Sequence, residues 1–178
     1  MIVFIDPGHG GADPGATGTT GLREADVNWD VALKVRQYLQ RYGFDARLTR
    51  ERNESPSQSE RRYRAAAARC LVSIHCNSYA EPSVQGLETY AWPGRHDSIA
   101  LAWMLQESLL VTTARKDRGV KVRNLTVLGG EPPAALVELA FISNPDEEKL
   151  LGEQWYREKA ALGIAYAVRD FMSLARKK

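Results

Sequence analysis

The chemistry this 178-residue sequence can offer is concentrated in two histidines, one out-of-place glutamate and a glycine-rich loop. His9 stands in Asp6-Pro7-Gly8-His9-Gly10-Gly11, directly after the apolar run Ile2 to Ile5. His75 stands in Ser73-Ile74-His75-Cys76-Asn77, closing the apolar run from Cys70 to Ile74. Short apolar runs bounded by turn residues read as buried strands. Both imidazoles therefore fall at the carboxyl end of a strand, the edge at which open α/β sheets bind ligands. Two neutral imidazoles at one edge make a candidate zinc site, since catalytic zinc takes three protein ligands and keeps a fourth position for water. The competing reading is two hydrogen-bonded surface histidines. The third histidine, His96 in Gly94-Arg95-His96-Asp97, reads as a solvated loop residue.

A third ligand has to be a carboxylate, because both cysteines read as core. Cys70 and Cys76 lie on one strand, where a six-residue separation puts their Cα atoms roughly 20 Å apart, far beyond disulfide reach. The first loop offers Asp13, Glu24 and Asp26, and Glu24, just before the first helix, leads narrowly. Glu138 interrupts Ala134-Ala135-Leu136-Val137-Glu138-Leu139-Ala140-Phe141. A charge inside a strand buried on both faces is costly unless paired or functional. Alternation puts it on the face opposite Val137 and Leu139. Beside a metal it has the character of a general base; the alternative is an ion pair with an arginine. The arginines at 61, 62, 64 and 69 read as a solvated helix face. The glycines match neither the Walker nor the dinucleotide spacing, which argues against a phosphate cradle.

These groups must be held by alternating strands and helices. Strands are predicted over 2–5, 44–48, 70–74, 86–92, 125–128 and 134–141. Helices are predicted over 27–42, 55–68, from Ser98 as a cap, after the start signal Asn144-Pro145-Asp146-Glu147, and over 155–174. The alternation predicts one α/β domain over 1–178, with a mostly parallel twisted sheet flanked by helices on both faces. Apolar residues make up 44% and charged residues 26%, which excludes a disordered or collagenous chain. A net charge of +2 gives no electrostatic case for nucleic acid. No apolar run approaches the ~18 residues of a membrane span. The sequence opens without a basic stretch or cleavage site, so no signal peptide is expected.

In this order, DPGHGG, GLREAD, LTR, SIHCN, GLETY, RGVKVRNLTVLGG and PPAALVELAFISNPDEE resemble the zinc-dependent N-acetylmuramoyl-L-alanine amidases of the amidase-3 type, which cut bacterial peptidoglycan. The resemblance runs nearly the whole chain. It implies one zinc per chain held by His9, Glu24 and His75, with Glu138 as the catalytic glutamate. Peptidoglycan is the implied substrate, acted on in the periplasm or outside the cell. A phage-type lysin made in the cytoplasm and a trimmed secreted enzyme both fit. Cys76 stands where the family more often has a small residue such as Ala. Some cell-division members carry a regulatory helix before the strand bearing the glutamate. Here Trp92 to Pro132 is filled by one helix and a strand, so no activator protein is expected. A monomer is expected as a separate reading. A zinc peptidase acting within the peptide stem and a non-catalytic wall-binding module are the rival readings.

Overall fold

The computed structural model describes residues 1–174. A six-stranded sheet organises the chain: β1 (Ile2–Pro7), β2 (Asp45–Leu48), β3 (Cys70–Asn77), β4 (Leu87–Ala91), β5 (Asp117–Val122) and β6 (Ala134–Phe141). The helices are α1 (Glu24–Arg41), α2 (Gln58–Arg64), α3 (His96–Thr113), α4 (Pro145–Gly152) and α5 (Gln154–Leu174). The strands lie in the order β2-β1-β3-β6-β4-β5. Every pairing is parallel except that of β4 with β6.

Strand alternation sorts the side chains onto two unequal faces. Val3, Ile5, Val72, Ile74, Val137 and Leu139 point into the main core, which includes buried residues of α1, α3 and α5. Phe4, Leu71 and Leu136 point the other way, into a small core closed by Ala65 after α2 and by Val127 and Leu128. Along β1, β3 and β6 that second face continues to Asp6, to Ser73 and His75, and to Glu138. The expected layering on both faces is therefore present, and the polar side chains lie past the edge of the smaller layer.

Local signals explain most boundaries. Asn144 caps α4 by accepting the N–H groups of Asp146 at 3.0 Å and Glu147 at 3.1 Å, with Pro145 at the first helical position. Ser57 and Glu60 form a reciprocal capping box that fixes the start of α2. That helix ends at Arg64, short of the predicted Ala68, because the chain must turn to enter β3 beside Val3.

Three expectations are corrected. Residues 125–128 are not a strand but carry a 3₁₀ turn, Thr126–Leu128. Both edges of β6 are already taken by β3 and β4, and Leu128 N–H bonds locally to Leu125 O at 2.8 Å. The polar segment Asp117–Val122 forms the outer strand β5, where one-sided pairing removes the need for an apolar pattern. Ser98 does not cap α3, which starts at His96; its hydroxyl accepts the Ala134 N–H at 3.0 Å. Among the described residues no helix is long and apolar enough to cross a membrane.

Candidate metal centre and active site

His9 leaves β1 with φ of 57°, a left-handed conformation that is uncommon outside glycine. Two buried arginines hold it there. Arg61 donates to His9 O at 2.8 Å and to Pro7 O at 2.7 Å, and Arg50 donates to Pro7 O at 2.8 Å and Gly8 O at 3.3 Å. Arg61 is 5% exposed, so the expectation of a solvated helix face fails at this residue. Its counter-charge is Asp6, 1% exposed, at 2.8 Å. Asp6 also accepts from Ser73 Oγ at 2.6 Å and from the Thr49 hydroxyl. Burial alone would raise the Asp6 pKa, but the Arg61 charge and the two hydroxyls outweigh it and hold the carboxyl below its usual range. Replacing Asp6 by alanine leaves Arg61 charged, buried and unpaired. The expected cost is about 3–5 kcal/mol of unfolding free energy, read from the urea midpoint.

The carboxylate of Glu24 lies between the two histidines. His75 Nδ1 is 2.9 Å from Oε1, and His9 Nε2 is 3.3 Å from Oε2. The imidazole rings stand edge to face with centroids 5.0 Å apart. One donor atom from each of the three residues lies within 4.8 Å of the others. Glu24 is buried as the first residue of α1, which starts three residues before the predicted Val27. Backbone N–H groups of Ala16 at 2.9 Å and Cys76 at 3.1 Å orient it. Burial favours its neutral form, yet the hydrogen bonds and charges of His75 and His9 prevail and keep it ionised far below the ordinary carboxylate range. For His9, burial favours the neutral ring, but Glu24 and then Asp13 prevail and raise it to about 9. Asp13 accepts from His9 Nδ1 at 2.8 Å and thereby leaves Nε2 facing Glu24.

Close packing makes this arrangement depend on two glycines. A Cβ on Gly8 would sit 2.3 Å from the His75 ring, and one on Gly15 would sit 2.6 Å from the His9 ring and 2.7 Å from Glu24. The loop between His9 and Glu24 is tethered from α4. Glu148 accepts from the Thr19 hydroxyl at 2.7 Å and from Thr20 N–H and Oγ at 2.9 and 2.6 Å.

Glu138 of β6 pairs in register with His75 on one side and with Glu88 of β4 on the other. Its Oε2 is buried and finds no hydrogen-bond partner among the described residues. Burial, followed by the charges of Glu24 and Glu88, pushes its pKa well above the usual carboxylate value, with Lys121 opposing. No arginine pairs with it among the described residues, so the ion-pair alternative is not realised. Glu88 takes the neighbouring cations instead, Arg118 at 2.8 Å and Lys121 at 2.5 Å, together with Asn77 Nδ2 and the Tyr90 hydroxyl.

His9, His75 and Glu138 line one cleft of about 460 Å³, together with Asn77, Tyr90 and Arg123. His96 lies elsewhere, exposed at the start of α3. Asp26 does not join the ligand cluster; it pairs with Arg23 at 2.7 Å. Both cysteines are buried and free, as expected. Sequence reasoning missed the roles of Arg50, Arg61, Glu88 and Tyr90. Only Asp6, a charge at the end of an apolar strand, signalled that a buried cation was needed.

The three donors suit a borderline-soft dication. Two imidazoles and a carboxylate are a zinc-type set, His9 and Glu24 are each held by further hydrogen bonds, and the unpartnered Glu138 oxygen lies across the strand pair from His75.

A family model described as N-acetylmuramoyl-L-alanine amidase matches residues 3–170. The N-acetylmuramoyl-L-alanine amidase LytC of Bacillus subtilis is 38% identical over 91% of this chain, which spans about a third (34%) of that relative's length. A germination-specific N-acetylmuramoyl-L-alanine amidase of the same organism is 32% identical over 92% of this chain and 76% of its own length. Among solved structures, the amidase AmiC2 of Nostoc punctiforme superposes with a TM-score of 0.92 at 32% identity, covering 97% of both chains.

Proposed function

The chain belongs to the N-acetylmuramoyl-L-alanine amidase family, and on that premise we propose that it is a zinc-dependent hydrolase of bacterial peptidoglycan, cutting the amide between the lactyl group of N-acetylmuramic acid and L-alanine of the peptide stem. The observation that carries the reading is the convergence of His9, Glu24 and His75 within 4.8 Å beside Glu138, whose Oε2 is buried and without a hydrogen-bond partner among the described residues. The 1–178 chain acts as one catalytic unit in this proposal, with the bacterial wall as its place of action.

His9, presenting Nε2, Glu24 and His75 would hold the ion. Zinc bound there supplies Lewis acidity, which polarises a carbonyl and acidifies water. Glu138 acts as the proton carrier. It accepts the proton of the attacking water as the new carbon–oxygen bond forms, and delivers it to the nitrogen as the carbon–nitrogen bond breaks. Burial and the charges of Glu24 and Glu88 raise its pKa against the opposing charge of Lys121, which suits a group that must hold a proton before passing it on. Asp13 and the backbone donors to Glu24 keep the ligands oriented through the cycle.

The test is product analysis. Digestion of purified peptidoglycan should release stem peptides with a new L-alanine amino terminus and leave the lactyl carboxyl intact. Cleavage inside the stem, with the lactyl amide untouched, would instead identify a peptidase.

A further inference from the structure

One cation of the cleft is engaged by no acceptor among the described residues, and we infer that Arg123 is a specificity residue that binds a carboxylate on the substrate's peptide stem. This rests on the amidase reading above. Two arginines line the cleft. Arg61 is committed to Asp6 and to backbone carbonyls. Arg123 is exposed, and its guanidinium meets no carboxylate or carbonyl acceptor among the described residues. The two cations before it, Arg118 and Lys121, are both held by Glu88. The acids of the cleft do not pair with Arg123: Asp6 bonds to Arg61, Asp13 accepts from His9, and Glu138 has no ion-pair partner among the described residues.

Register sets the distance. Glu138 pairs with Glu88, Leu136 with Tyr90, and Ala135 with Ala91. Arg123 N–H donates to Ala91 O at 3.0 Å, which anchors it three residues along the sheet from Glu138 and two strands across. At ~3.4 Å per residue and ~4.8 Å per strand that is roughly 14 Å between the two backbones. A stem peptide extended away from an amide at Glu138 covers that span in about four residues, and the long arginine side chain, which reaches into the cleft, shortens what the peptide itself must cover. Carboxylates of a stem occur there, on the second residue, which continues the chain through its side chain, and on a diamino-acid third residue. A guanidinium has only donors, in a planar fork that matches a carboxylate with two parallel hydrogen bonds. Leu125 and Val127 line the same wall and lower the dielectric around such a pair.

The test uses three defined muropeptides: both stem carboxylates free, the second-residue carboxylate amidated, and the third-residue carboxylate amidated. For the unaltered protein, amidation of the recognised carboxylate should lower kcat/KM roughly 10- to 100-fold, and the position affected identifies the source. In Arg123→Gln the ratio of acid to amide kcat/KM should collapse to about one, while Arg123→Lys should keep an intermediate ratio. Zinc content of each variant, measured in parallel, confirms an intact site. Equal kcat/KM for all three substrates, or an unaltered ratio in Arg123→Gln, overturns the inference and leaves the amidase reading standing. Failure to release any stem peptide from all three overturns that reading, and this inference with it.

Discussion

Glu138→Ala should lower the release of stem peptides from peptidoglycan by roughly 10²–10⁴-fold, with zinc content unchanged and the melting temperature equal to or above that of the parent. The two halves of this expectation have one origin. Glu138 is placed on β6 with a buried oxygen that no donor among the described residues satisfies, and burial and two nearby carboxylates all disfavour its charge. Such a group costs stability wherever it is not used. Its removal should relieve the folded state while removing the proton carrier. Glu138→Gln keeps the shape without the carboxylate and should show the same loss of rate. The measurements are amino-terminus release over time and a thermal melt of each variant. A variant that turns over at the parent rate would end the assignment. One that loses both activity and stability would make Glu138 a structural residue.

Zinc removal should have the second largest effect. Chelation should abolish stem-peptide release, and added zinc should restore it. In a thermal melt, zinc at about 100 times its dissociation constant should stabilise the protein by ~2.7 kcal/mol, a shift of roughly 5–10 °C at this chain length. Glu24→Ala should lose the shift, because it removes the ligand between the two imidazoles. The pH dependence has a defined sign. His9 is raised from about 6.5 to about 9 in the folded protein. Its contribution to metal-free stability is therefore complete below 6.5 and is lost as pH rises through about 9. Zinc must displace that proton, so zinc affinity should climb with pH up to about 9 and then level off, with proton release measurable by calorimetry in buffers of different ionisation enthalpy. Zinc-independent release of stem peptides would sink the metal reading.

How much of this was legible in the sequence depends on range. The strands carrying His9, His75 and Glu138 announced themselves because a buried parallel strand is a short apolar run closed by turn residues, and β1, β3 and β6 all have that form. Alternation then placed Glu138 away from Val137 and Leu139, on the face that also carries His75. The outer strand β5 was invisible, since Asp-Arg-Gly-Val-Lys-Val has no apolar pattern and is a strand only because β4 offers it an edge. Residues 125–128 failed for the opposite reason: an apolar segment leading toward β6, whose two edges are already paired with β3 and β4. Arg61 looked like its neighbours on a polar helix. Its burial follows from Asp6, 55 residues earlier, and nothing local reports that pairing.

The hold that Glu148 keeps on Thr19 and Thr20 bears on how small this protein can be made. A fragment ending after β6 would retain both histidines, Glu24 and Glu138. It would nonetheless lose the clasp on the segment that sets His9 and Glu24 relative to each other. Anyone trimming the carboxyl end, or grafting these donors onto another scaffold, has to bring α4 along.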